Sequence, residues 1–343
     1  MQNFKMRGPL RVSFGGGGTE IDPFKSQIGG IVVNSTINLF TYVNIIFHRD
    51  KCIHIISRDY NQRFKIKIQD LDEIDFTKIP EGAIITIASI KYITQTIKKN
   101  IRFDFQIITR SDVPVGTGLG ASSSLTVTIL AALFELNKIP YDPFQLAEHA
   151  FNVERIILSR TGGIQDHYCA AYGGLNYMEF GPGDNLKIEK LKTSNKELEK
   201  LSDCLLLIDS GISRKVGSIV SNLGKINTAS KKEIFLKIRE NAHEFRKVFE
   251  NSDFDNFGEL LEIGWELKKN TSRSVSNEYI DDIYSNLKEE GITGGKLCGA
   301  GGGGYMLVNF VPENKAKVIE FCEERLLKNY TVKFTTSGIT RLE

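Results

Sequence analysis

The chain has 343 residues, enough for about two domains of ordinary size with a sizeable interior. A hydrophobic content of 41% with 25% charged residues fits a soluble globular protein. Its 44 basic and 42 acidic side chains are well mixed and leave a net charge of +2. That balance gives no reason to expect a nucleic-acid or membrane-surface partner. No apolar run approaches the roughly 18 residues of a membrane span, and the start MQNFKMRGPL does not have the pattern of a signal peptide. Five scattered cysteines and five histidines show neither disulfide-framework nor metal-ligand spacing, so a reduced, cytoplasmic protein is expected.

In chain order, the first half opens rich in strands. RVSF, GIVVNSTINLFTYVNIIF, KCIHIIS, RFKIKI and FDFQIIT carry β-branched and aromatic residues, several in period-two alternation. AIITIASIKYITQTIKK reads as a helix between them. Ser122 to Asn137 predicts a strong helix, and Asp142-Pro143 restarts another, an N-cap with proline at the first turn, running to Ser159. The turn-rich Gly181-Pro182-Gly183-Asp184 marks the expected domain junction, dividing 1–183 from 184–343. Beyond it CLLLIDSG predicts a buried strand, and helices are expected over Lys231 to Phe249, Phe257 to Lys269 and Asn277 to Glu290. A strand, a helix and a strand close the chain. Strands and helices mixed in both halves predict an α+β fold.

Three glycine-rich loops stand out: GPLRVSFGGGGTEIDPF (Gly8 to Phe24), PVGTGLGASSSL (Pro114 to Leu125) and GGKLCGAGGGGYMLV (Gly294 to Val308). In the central one, Gly116, Gly118 and Gly120 alternate with small residues, and three serines follow where a helix begins. Glycine lets the backbone approach an anion, and free N–H groups at a helix start attract negative charge. Without the Gly-Lys-Ser/Thr ending of the common nucleotide loop, this one must hold phosphate without a loop lysine. Taken alone it reads equally as a Ser-capped helix after a flexible turn.

The three loops together resemble the signature motifs of the GHMP kinase superfamily, from about Arg7 to Leu307. The resemblance implies a two-domain fold, with a left-handed βαβ crossover in the N-terminal domain, a ferredoxin-like C-terminal domain and the active site in the cleft between them. ATP is then the phosphoryl donor and Mg²⁺ its metal. The resemblance places the ATP phosphates on Gly116, Thr117, Gly118, Leu119, Gly120, Ala121, Ser122, Ser123 and Ser124. It makes Ser122 and Glu154 the metal ligands, and sets part of the adenine pocket around Ala88 to Phe105. Hard oxygens are what Mg²⁺ takes.

Asp166, between the glycine pairs Gly162-Gly163 and Gly173-Gly174, matches the family's catalytic aspartate, which receives or orients the acceptor hydroxyl proton. It also reads as the N-cap of the short helix HYCAAY. Arg11 occupies the place of a catalytic Lys or Arg, where a fixed cation stabilises charge on the transferring group. Gly17, Thr19, Glu20 and Asp22 are expected to line the acceptor pocket, the two carboxylates accepting from sugar hydroxyls. Arg214 and Lys215 read equally as a site for a second phosphate or as a surface pair.

The segment from Gly15 to Ile45 resembles the bacterial D-glycero-D-manno-heptose 7-phosphate kinases and related sugar-1-kinases, with Glu20 where those enzymes usually carry Asp. The implied reaction is phosphorylation of the anomeric hydroxyl of a sugar phosphate. Alternatives are a kinase of a free sugar such as fucose, or a non-catalytic sugar and nucleotide sensor.

Overall fold

A computed structural model describes residues 3–97, 104–114, 116–182, 185–212 and 229–342. The β-rich first half forms strands β1 (Phe4–Gly15), β2 (Gly30–Phe47), β3 (Ile53–Ser57), β4 (Gln62–Ile66), β5 (Phe105–Ser111), β6 (Leu175–Phe180) and β7 (Leu186–Lys190). Strand β2 organises them because of its length. Along one edge it pairs antiparallel with β1, while its other edge pairs with β6 over residues 30–35 and with β5 over residues 41–47. The β1–β2 register shifts between Pro9 and Leu10, at a residue with no N–H to give the ladder. Strands β3 and β5 are parallel, the others antiparallel.

Ten helices accompany the strands among the described residues: α1 (Phe24–Ile28), α2 (Glu81–Tyr92), α3 (Ala121–Asn137), α4 (Pro143–Asn152), α5 (Gln165–Tyr172), α6 (Asn195–Asp203), α7 (Ala229–Asn251), α8 (Phe257–Lys269), α9 (Glu278–Glu289) and α10 (Lys315–Glu324). Helix α2 lies in the chain between the parallel strands β3 and β5 and so makes the crossover. Helix α3 is buried on most of its sides, as its largely apolar sequence requires. From Thr126 to Phe134 each of its residues is buried, against β1 and β2 on one side and α2, α4 and α5 on the other. At α4 the expected cap holds: Asp142 accepts the Gln145 N–H at 2.8 Å within a capping box. The helix expected to run on to Ser159 instead widens into a π turn at Val153–Ile157. Such turns recur at functional sites, and this one carries Glu154.

The second sheet contains β8 (Leu205–Asp209), β9 (Ile292–Leu297), β10 (Tyr305–Phe310) and β11 (Asn329–Thr331), all antiparallel in the order β11-β8-β10-β9. With helices between β8 and β9 and between β10 and β11, this is the ferredoxin-like arrangement. A last strand, β12 (Thr340–Leu342), which the sequence did not signal, returns to pair with β1. Strands β7 and β12 follow residue 183 in the chain, yet both join the first sheet.

The two sheets share a core cluster. Leu10, Val12 and Phe14 of β1 pack in a cluster with Leu205, Leu207 and Leu307 of the second sheet. Phe14 meets Phe249 and Phe257 at ring centroid distances of 5.1 and 5.4 Å. Between the sheets, Gly299 to Gly304 lies backbone to backbone against the central loop. Tyr305 N–H donates to Thr117 O at 3.0 Å, and a Cβ on Gly304 would stand 2.3 Å from that same oxygen at a φ of +85°. Gly304→Ala is therefore expected to lower stability by about 2 kcal/mol or more, measured by urea unfolding against wild type.

Candidate functional site

Strand alternation turns Arg11 and Ser13 toward one cavity, and the glycine turn after β1 brings Gly17, Gly18 and Glu20 to it. The cavity is about 910 Å³, and the N-terminus of α3, the start of α5, the loop 159–163 and the edge of the second sheet complete its wall. All three glycine-rich loops meet there, as the sequence implied.

Gly116, Gly118 and Gly120 have φ of +84°, +84° and +74°, the left-handed region that favours glycine. At Gly120 there is a second reason: a Cβ would lie 3.3 Å from the Asp166 carboxyl carbon. The absent side chain lets Asp166 come up against the loop.

Asp166 is held from the other side by Arg11. The Arg11 Nε donates to Asp166 Oδ1 at 2.7 Å, and its Nη2 lies 2.7 Å from the same oxygen. The third arm, Nη1, donates to Gly118 O at 2.6 Å. One buried guanidinium thus ties β1, the loop and α5 together. Burial works against the Arg11 charge, and the adjoining Asp166 more than restores it, so its pKa is raised. The cap position of α5 belongs to Ile164. Asp166 lies in the first turn and does not cap the helix, which leaves its second oxygen for the cavity.

Glu154 is buried, with Ser122 Oγ and Thr126 Oγ1 each 3.2 Å from Oε1 and Ser123 Oγ 3.3 Å from Oε2. His167 Nε2 is 3.1 Å from Oε2, and Phe151 meets that imidazole edge to face. Burial alone would raise the Glu154 pKa, but His167, Arg155 and Arg160 outweigh it and hold the carboxyl down at about 2. Ser122 Oγ and Glu154 Oε1 are therefore two hard oxygens, one charged, facing the cavity. Their spacing suits neighbouring ligands of an octahedral ion, which stand roughly 2.9 Å apart at Mg²⁺ distances.

Glu20 is also buried. It accepts Gly18 N–H at 2.6 Å and the Gln165 amide, and burial raises its pKa. Thr117, Gly118, Leu119 and Ala121 belong to the loop, but not all of them face inward. Leu119 is a core residue whose carbonyl takes the Arg11 N–H. The Thr117 hydroxyl turns back to Pro114 O at 2.8 Å.

Three expected contacts point elsewhere. Ser124 Oγ bonds Thr41 Oγ1 in the interior and its N–H is taken by Gly120 O, because it falls on the inner side of α3. The Thr19 hydroxyl is fully buried and braces Gly16 O at 2.7 Å. Asp22 is exposed and accepts from Ser26 at the start of α1. Arg214 and Lys215 lie outside the described residues. Of the stretch Ala88 to Phe105, the described residues do not line the cavity; Asp59, Tyr60 and Glu81 do.

The sequence reading missed Arg155, Arg160, Gln165, Lys268 and Lys296, which also line the cavity. For Lys296 there was a signal, a lone lysine in the apolar, glycine-rich GGKLCGAGGGG. Its Nζ donates to Phe14 O at 2.8 Å. Burial pushes this ammonium down to about 8, with Arg11 adding to the push and Cys298 and Glu20 opposing it.

Two stretches of the chain match family models: residues 85–174 the GHMP kinases N terminal domain, and residues 245–326 the GHMP kinases C terminal. The chain belongs to the GHMP kinases. It is 29% identical to the D-glycero-alpha-D-manno-heptose 7-phosphate kinase of Campylobacter jejuni, over 99% of this chain and 98% of that one. A crystal structure of a D-glycero-D-manno-heptose 1-phosphate kinase from Bacteroides thetaiotaomicron superposes with a TM-score of 0.81 at 26% identity, covering 99% of both chains. The L-fucokinase/L-fucose-1-P guanylyltransferase of Bacteroides fragilis is 25% identical over 88% of this chain, which spans 34% of that longer protein. GHMP kinases take the transferred phosphoryl group from ATP, and the chain is an ATP-dependent kinase. No described helix is long and apolar enough to cross a membrane.

The Lys296 environment makes a pH test. Below about 8 the ammonium is charged in both folded and unfolded chains, and the cost of burying it is fully present. Because its ordinary pKa is 10.5, that cost is relieved as pH rises from about 8 to 10.5. The difference in Tm, Lys296→Met minus wild type, is therefore expected to fall between about pH 7 and pH 10, read by thermal melts in matched buffers.

Proposed function

We propose that this chain is a sugar kinase that moves the γ-phosphoryl group of ATP to the anomeric C1 hydroxyl of a sugar phosphate. D-glycero-D-manno-heptose 7-phosphate is the proposed acceptor and the 1,7-bisphosphate the product. The observation that carries this reading is the Arg11–Asp166 pair, set between the positive-φ loop on one side and the buried Glu20 on the other. The full-length likeness to a heptose 7-phosphate kinase supports the acceptor.

In this reading Gly116 to Ser123 hold the ATP phosphates with backbone N–H groups. Ser122 and Glu154 would hold Mg²⁺, which when bound would offset charge on the phosphate oxygens. Glu20, steadied by Gly18 and Gln165, accepts from sugar hydroxyls. Asp166 receives the proton of the C1 hydroxyl as its oxygen bonds the γ-phosphorus and the bond to the ADP oxygen breaks. Arg11 fixes the Asp166 carboxylate toward that hydroxyl. Arg214 and Lys215 remain the proposed grip on the distal phosphate. Five cysteines scattered along the chain without disulfide-framework spacing accord with a reducing, cytoplasmic setting.

A second reading is a kinase of a free sugar, supported by the likeness to an L-fucokinase. A coupled ADP-release assay with Mg-ATP across D-glycero-D-manno-heptose 7-phosphate, fucose, galactose and mannose separates them. Turnover is expected with the heptose phosphate at a kcat/KM at least tenfold above any free sugar, and Arg214→Ala is expected to raise its KM. Turnover on a free sugar alone would replace the acceptor and remove the distal phosphate site.

A further inference from the structure

The phosphate loop has no lysine or arginine between Pro114 and Leu125. Apart from the proposed Mg²⁺, the loop itself would then offer a strongly charged triphosphate only backbone N–H groups. We infer that Arg160 supplies the missing cation and binds the β- and γ-phosphate oxygens of the nucleotide. This rests on the reading that the ATP phosphates lie on the loop.

Arg160 lines the cavity beside the start of α3. Its Nη1 lies 3.2 Å from Ser122 Oγ, and its Nη2 lies 3.2 Å from Glu81 Oε1. The loop that presents it is held in place. Arg160 N–H donates to Glu154 O at 2.9 Å. The Arg155 guanidinium donates to Arg160 O and to Gly162 O, the latter at 2.6 Å. Ser159, just before, has a φ of +50°, a costly conformation for serine that such bracing sustains.

The other described cations of the cavity are already committed to fixed partners. Arg11 is spent on Asp166 and Gly118 O, and Arg155 on the carbonyls of its own loop. Lys296 holds Phe14 O, and Lys268 holds Gly299 O. Arg160 differs because its head is held by one hydroxyl, Ser122 Oγ, and one exposed carboxylate, Glu81, rather than by buried carbonyls. Glu81 is 54% exposed, and an ion pair in such a setting contributes at most about 1 kcal/mol. Exchanging Glu81 for phosphate costs little and gains a planar, bidentate grip that matches phosphate oxygens. Ser122, freed of the guanidinium, then keeps its lone pairs for a metal.

Calorimetric titration of ATP, ADP and AMP into the full chain tests this, with wild type, Arg160→Ala, Arg160→Lys and Glu81→Gln. Arg160→Ala is expected to weaken ADP and ATP by roughly tenfold to a hundredfold, the size of one or two charge-assisted hydrogen bonds. AMP is expected to change less than twofold. Arg160→Lys should recover part of the loss, and Glu81→Gln should tighten ADP by a few fold. Unchanged ADP and ATP affinity in Arg160→Ala overturns the inference, and so does an equal loss for AMP, which would mark a structural role. If wild type itself binds ADP no better than AMP, both the inference and the phosphate-loop reading fail.

Discussion

Everything in the site is arranged around one ion pair, a buried Arg11 against a partly buried Asp166. Arg11 and Asp166 are 155 residues apart in the chain and 2.7 Å apart in space. Taking either charge out of water alone would be costly, and their attraction offsets that cost only when the geometry is good and the remaining donors are used. The remaining donor is used on Gly118 O. A single side chain therefore sets the distance between the first strand, the phosphate loop and the helix that bears the proposed catalytic aspartate. Because Arg11 fixes Asp166 Oδ1 through two of its nitrogens, the other Asp166 oxygen has little choice of direction.

The glycines serve this constraint from behind. Gly120 admits the aspartate, and Gly299 and Gly304 let the third loop press its backbone against the first turn of the phosphate loop. A side chain at either of the latter two positions would lift the loop away from Arg11. The same packing joins the two sheets, since Tyr305 of the second sheet bonds Thr117 of the loop. The cleft is thus a seam above a core cluster that both sheets share, with Phe14 in it.

Much of this was legible in the sequence. The strand and helix pattern, the Asp142 cap and the three loops meeting at one cavity all follow from residue order. The convergence of Arg11, Ser122, Glu154 and Asp166 was legible only through the resemblance to the GHMP kinases, since each taken singly reads as an ordinary strand, cap or helix residue. What failed was direction. Thr19, Asp22 and Ser124 sit one or two residues from cavity-lining neighbours and point away, as the alternation of a turn and the rotation of a helix dictate. Lys268 and Arg160 escaped notice for the opposite reason. They carry no local signature, and only tertiary packing turns them inward; Lys296 did carry one, as the lone lysine of the third glycine-rich loop. Strand β12 was missed because three residues hold too little periodicity to read.

The central claim is that Arg11 and Asp166 act as one unit in phosphoryl transfer. A double-mutant cycle on kcat tests it most directly, using Arg11→Gln, Asp166→Asn and the double variant, with ADP affinity measured alongside. If the pair is a unit, each single change removes roughly 10²–10⁴ of the rate and the double change costs hardly more than the worse single one. Losses that multiply across the cycle would show two independent residues and contradict the account.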